Sequence, residues 1–483
     1  MTSTPPPRLP EPQRRKAFAV ILAAGFMTLL DVSIVNIALP AIEASLDAST
    51  THIQLIVAGY SLSFGLMLVP AGRFGDVFGR RRVLIVGVAL FVGASLACGL
   101  APSADLLSAF RLLQGVGGAL INPQVVGLIQ QLYIGPERAR AFGLFGASIG
   151  ASTALGPVLG GVLIAGLGPE IGWRAIFLVN IPIGILLMVK ARQHLPAHVK
   201  DPDGSLSLDA VGLILLGITV CALMLPFLGT QSGGLAAAPW WLLGIAAVGY
   251  AAFMAWELWL DGRGSSAILP RHLMRNTGFV FGTAVGTAYF AGFTGIWIVV
   301  SVYVQSGLGR SALVAGLVSL PFAITGGISS AQSGHLLPRY GRWLVVGGIA
   351  IMTVGIVAMD IATMVAPPAI MPWLLAVLMA FAGFGSGVVI SPNQALTLAD
   401  VPVREGGTAG GVLQTTQRVG ASVGLAVMTS VFFTTQLSAG GDASASYGYA
   451  FSVSLRVTVA MLLIALTVAF ADAWRRRNAG SSS

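Results

Sequence analysis

Charge is scarce in this sequence. Of its 483 residues 9% are charged and 55% hydrophobic, whereas a soluble globular protein carries about 25% charged residues. That deficit, with a mean hydropathy of +0.85, excludes a soluble multidomain chain and specifies an integral membrane protein. The apolar runs are long enough to cross about 30 Å of hydrocarbon. They are continuously apolar and lack the alternation of barrel strands, so helices are expected. Lysine is scarcer still, with three among 27 basic residues. None can complete a G-x-x-x-x-G-K-[ST] phosphate loop, which argues against transport powered by ATP on this chain. The two cysteines, Cys98 and Cys221, lie inside apolar runs, which argues against a disulfide framework. The five histidines are scattered over loops and span ends without metal-ligand spacing, so no metal is expected. The net charge of +9 is dispersed between the runs and forms no basic patch with interleaved aromatics, so nucleic acid is not an expected partner.

What is present is a series of apolar runs starting near residues 17, 53, 83, 104, 139, 173, 209, 238, 278, 312, 343, 371, 405 and 450. They predict an all-α polytopic protein with fourteen transmembrane helices. Residues 1–16 read as a disordered Pro-rich tail, 17–190 as a six-helix bundle and 191–208 as a polar linker. Residues 209–262 read as two inserted spans, 276–473 as a second six-helix bundle and 474–483 as a tail. With the N-terminus inside, 22 of the 27 Lys and Arg residues fall on inner segments. This asymmetry predicts that both termini are cytoplasmic and supports an even number of spans.

An internal repeat divides the chain. "GRFGDVFGRRR" (Gly72 to Arg82) and "GHLLPRYGRW" (Gly334 to Trp343) each place two glycines seven residues apart with an arginine after the second, at an offset of 262. Two like halves meeting across a central site is the layout of an alternating-access transporter. In the first copy the glycines permit a tight turn, and Asp76 can accept from free backbone donors at a helix start.

These stretches resemble the major facilitator superfamily, in its fourteen-helix drug/proton antiporter branch. The spacing around Gly72, Asp76, Gly79, Arg80 and Arg81 is similar to the loop signature between its second and third helices. "LLDVSIVNIALP" and "RLLQGVGGA" resemble its first- and fourth-helix signatures, "GASTALGPVLGG" its fifth-helix antiporter signature and "WRAIFLVNIPIG" the start of its sixth helix. The resemblance implies a proton-coupled exporter of amphipathic organic compounds in the bacterial inner membrane, monomeric and powered by the proton gradient without a cofactor. It also implies that the loop latches the halves in one state, and that the fifth-helix stretch, Gly156, Pro157, Gly160 and Gly161, bends and favours exchange over leak. From the residues alone, those glycines equally suit ordinary helix packing, while Pro157 frees a backbone carbonyl.

One acid stands deep in the first span. At 1.5 Å per residue, Asp31 lies roughly 9 Å below the outer surface, and Arg111 on the fourth span about 10 Å below it. Helices that the family fold brings together around the cavity would let the two pair. Asp31 is then expected to exchange protons with the outer side, Arg111 holding it ready to release them, although a static structural pair fits the same spacing. Asn36, Gln114, Asn122, Gln305, Gln394 and Gln414 are candidates to line a wet cavity, or else to bond helix to helix. Arg418 and Arg456 fall within spans, and the sequence names no partner for either. The second half offers no mid-membrane carboxylate, which weighs against dicationic cargo. The rival readings are a dedicated exporter of an endogenous metabolite or antibiotic, and a non-transporting membrane sensor or scaffold.

Overall fold

The computed structural model describes residues 10–197, 209–263, 267–269, 271–439 and 443–480. The helices are α1 Glu11–Leu46, α2 Thr50–Phe78, α3 Arg80–Gly99, α4 Ala104–Leu132, α5 Gly135–Leu178, α6 Asn180–His194, α7 Ala210–Ala237, α8 Leu242–Gly262, α9 Arg271–Arg275, α10 Thr277–Thr294, α11 Ile296–Val302, α12 Ala312–Tyr340, α13 Arg342–Val365, α14 Met371–Thr397, α15 Gly406–Ser438 and α16 Ala443–Gly480. No strand occurs among the described residues. Thirteen helical stretches are long and apolar enough to cross a bilayer, and one of them, Gly135–His194, is 60 residues long. Gly168, at φ 78°, breaks it into two crossings. The chain is therefore a multi-pass membrane protein.

Helix starts follow from local chemistry. Ser49 accepts from the His52 backbone N–H while His52 Nδ1 accepts from that of Ser49, a reciprocal cap. Ser103, Asp209, Asn276 and Ser311 cap α4, α7, α10 and α12 from one side only, each side chain accepting a backbone N–H. Gly79 and Gly341, both at positive φ, let the chain reverse between α2 and α3 and between α12 and α13. Two expected boundaries shift. α1 already begins at Glu11 and α16 runs through Gly480, so the end of the supposed N-terminal tail and most of the C-terminal one are helix. Residues 1–9, the linker from 198 to 208 and residues 481–483 lie outside the described residues.

The ends of the crossings differ in charge. Arg80, Arg81, Arg138, Arg140, Arg339, Arg342, Arg404, Arg475 and Arg476 gather at one end, called the basic end below. One core, including Ile21, Phe64, Phe91 and Phe142 of the first half, also takes in Phe279, Leu398 and Ala409 of the second. A separate core, including Tyr289, Ile349, Met379 and Phe451, belongs to the second half alone.

Two seams join the halves. Along the first, α2 and α15 run antiparallel in register. A Cβ on Gly72 would stand 2.2 Å from Gly407 O, and one on Gly411 2.5 Å from Leu68 O. Such backbone proximity is what small residues permit in a membrane interior. Farther along, Thr415 Oγ1 donates to Gly65 O at 3.4 Å. Along the second seam, α5 meets α12, where Ser330 Oγ donates to Gly143 O at 3.1 Å. The α7–α8 hairpin packs through α7 on both α2 and α15, covering the first seam from outside.

Candidate functional site

The acid of α1 sits inside the first half. Asp31 is 0% exposed and Arg111 2%. Arg111 Nη1 donates to Asp31 Oδ2 at 2.7 Å, and Gln114 Nε2 and Asn180 Nδ2 donate to Oδ1 at 2.8 and 2.9 Å. The Ser95 hydroxyl accepts from the same two amides, so residues of α1, α3, α4 and α6 form one cluster. Arg111 also donates to Ile56 O at 3.2 Å and to Gln114 Oε1 at 2.6 Å, with its guanidinium 4.2 Å from the centre of the Tyr60 ring.

A buried carboxylate is tolerated only with donors of this kind, and an Arg partner supplies the strongest of them. Protonating Asp31 would cancel the charge that holds Arg111 and loosen a knot shared by four helices. One expectation changes here. Asp31 does not face an open space, because the first half's own side chains enclose it. Gln114, expected to line a cavity, is 0% exposed and uses both ends of its amide in this cluster. Depth alone gave no sign of Asn180 or Ser95.

The loop after α2 makes the second cluster. Asp76 Oδ1 accepts from the Gly407 N–H at 3.0 Å, and Oδ2 from the Thr408 N–H at 2.7 Å and its hydroxyl at 2.8 Å. These are the free donors at the start of α15, in the other half, where a negative charge also complements the helix dipole. Arg80 donates to Asp76 at 2.9 Å, to Gly127 O at 2.5 Å and to Val403 O. Gln130 Nε2 adds a bond to Leu398 O at 3.0 Å. Arg81 stays within its own half, on Leu195 O at 3.2 Å.

The fifth-helix residues contact α1. Pro157 leaves the Thr153 carbonyl without its helical donor, and the Ser33 hydroxyl donates to it at 3.0 Å. The non-helical residue of α5 is Gly168, not Pro157. A Cβ on Gly156 would fall 2.5 Å from the Ser33 side chain and one on Gly160 3.2 Å from Ile34, whereas Gly161 faces open space.

The other candidates scatter. Asn36 is exposed on α1. Asn122 bonds helix to helix, to Thr28 Oγ1 at 3.0 Å. Gln305, in a π turn at residues 303–307, holds Ser301 Oγ at 2.9 Å. Gln394 is buried on α14 and Gln414 partly buried on α15. Arg456 meets Asp360 at 3.1 Å.

Two helical halves, glycine seams between them and a buried ion pair inside one of them have the layout of a secondary transporter. The family model of the Major Facilitator Superfamily matches residues 21–208 and 210–425, and the chain belongs to that superfamily. It is 36% identical over 449 residues to the "Probable actinorhodin transporter" of Streptomyces coelicolor, covering 92% of this chain and 77% of that one. It is 30% identical to the "Multidrug resistance protein Stp" of Mycobacterium tuberculosis, covering 86% and 76%. To the "Methylenomycin A resistance protein" of S. coelicolor it is 31% identical, covering 86% and 85%. Among solved structures, the human organic anion transporter MFSD10 superposes with a TM-score of 0.68 at 15% identity, covering 95% and 100%. The proton:xylose symporter XylE gives 0.64 at 16% identity, covering 93% and 95%. These two likenesses concern the fold. The chain is thus a transporter and not an enzyme.

Proposed function

We propose that this protein exports amphipathic organic compounds in exchange for protons, alternating access between two sides of a bacterial inner membrane as a monomer. The basic end lies in the cytoplasm with both termini, as the placement of arginine favours. The observation that carries the reading is the sealed Asp31–Arg111 pair, set in a chain whose relatives are named for export and resistance. In the state described here the basic ends are latched together by Asp76 and Arg80. Opening of that latch gives cargo access from the cytoplasm. A proton reaching Asp31 from outside releases Arg111, and its departure on the inner side restores the pair. Gln394 and Gln414 are retained as cargo contacts, and the proton gradient is the energy source, with no cofactor. The relative named for actinorhodin favours a second, narrower reading, a dedicated exporter of one metabolite or antibiotic.

The test replaces Asp31 by Asn in everted membrane vesicles supplied with a panel of fluorescent amphipaths. Accumulation driven by an imposed pH gradient is expected to vanish while passive exchange of the same compounds persists. Undiminished gradient-driven accumulation would exclude Asp31 as the coupling acid.

A further inference from the structure

Of the two span arginines that the sequence leaves without partners, one finds an acid and the other does not. Arg456 is paired with Asp360. Arg418 makes no ion pair or hydrogen bond with any described residue. It stands about 18 Å along α15 from Gly406, at the height where the α2–α15 seam ends. Its guanidinium lies 4.8 Å from the centre of the Phe64 ring, and its Cβ would be 3.9 Å from a Cβ on Gly65. Phe64 is stacked on Tyr60 at 5.8 Å, and Tyr60 carries Arg111 at 4.2 Å. Arg111, Tyr60, Phe64 and Arg418 therefore form one ladder, running from the acid cluster of the first half to the second half.

Helical spacing shows which way Arg418 points. On α15, Gly407, Gly411 and Thr415 meet α2, while Gly420 and Gly424 meet the backbone of α10. Gln414 lies on the arc between those two stripes and Arg418 in the α2 stripe itself, both on the side away from Val412, which packs against the inserted hairpin. Its guanidinium therefore reaches across the seam over Phe64 of the first half, and Arg418 is partly exposed there. Three carboxylates of other spans are engaged elsewhere, Asp31 by Arg111, Asp360 by Arg456 and Asp472 by Arg342.

A guanidinium on an aromatic floor, in an apolar interior and without a counter-charge, has the chemistry of an anion receptor. Resting on the export reading above, we propose that Arg418 binds an acidic group of the cargo and that the cargo is an amphipathic organic acid. A carboxylate or an acidic phenol attached to an apolar body meets the requirement. Exchanging such an anion outward for a proton inward moves two charges in the same electrical sense, so flux follows the membrane potential as well as the pH gradient.

The test uses two probes with one aromatic body, pyrenebutyrate and pyrenemethylammonium, titrated into the full-length protein in nanodiscs. Wild type is expected to bind the acid at least tenfold more tightly than the amine. Arg418→Gln is expected to lose about tenfold or more in acid affinity, the worth of one charge-assisted contact, while its affinity for the amine stays the same, which also shows that the variant is folded. Arg418→Lys keeps part of the preference. Asp31→Asn keeps acid binding whole, so failure of the coupling role and failure of the recognition role give different results. The proposal is overturned if wild type prefers the amine, if it shows no saturable binding of the acid, or if Arg418→Gln binds the acid as wild type does.

Discussion

The two copies of the repeated loop have the same backbone and different chemistry. Both reverse at a glycine of positive φ, Gly79 and Gly341, and both follow it with a buried arginine, Arg80 and Arg342. In the first copy Asp76 reaches across to the start of α15 and Arg80 to Val403 O, so the loop ties one half to the other. In the second, Pro338 occupies the position corresponding to Asp76. Arg342 turns inward, to Asp472, Gly278 O and Leu396 O, all of its own half. An inherited turn has thus become a clasp between halves on one side and an internal brace on the other. The acid makes the difference.

Three substitutions would break or sharpen that contrast. The largest effect is expected from Asp472→Ala, which strands Arg342 in a buried site and costs roughly 3–5 kcal/mol. Thermal unfolding should fall sharply, with no change in the distance between the halves. Asp76→Asn should do the reverse. It takes the charge from an acceptor shared by three α15 donors and Arg80 and moves the equilibrium between states by about 2–4 kcal/mol, while the Asn carbonyl still accepts from them and leaves the fold intact. Spin labels at the exposed positions 78 and 404 should then show a longer separation, and an unchanged distribution would deny the clasp its role. The smallest effect is expected from Pro338→Asp, which gives the second loop an acid one helical turn beyond the point where Gly334 meets Arg140. A surface pair of this kind is worth about 0.5–1 kcal/mol, seen as slower opening of the basic end.

Much of the architecture was legible because crossing a bilayer leaves long apolar runs and an arginine-rich end. The meeting of Asp31 and Arg111 was anticipated for the same reason, since rise per residue converts sequence position into depth. Depth carries no azimuth, however. It could not show that Asn180 and Ser95 converge on Asp31 from α6 and α3, or that Gln114 turns toward the acid instead of an open space. Glu257, near the end of α8, is 0% exposed because the chain after α8 folds back and its Leu269 N–H donates to the carboxylate at 2.9 Å. Arg456 and Arg418 look alike in sequence. Only the packing of α13 against α16 brings Asp360 to one of them.

The inserted hairpin leaves the molecule with unlike flanks. On one, α7 lies over the line where α2 and α15 meet, as a splint does over a joint, and closes it to the surrounding lipid. On the other, α5 and α12 meet without such a cover, and Val158, Val162, Ile324 and Ile328 turn large apolar surfaces outward. A hydrophobic molecule already dissolved in the bilayer therefore meets the α5–α12 seam bare and the α2–α15 seam screened. Loosening the splint is the change that would bare the second seam as well.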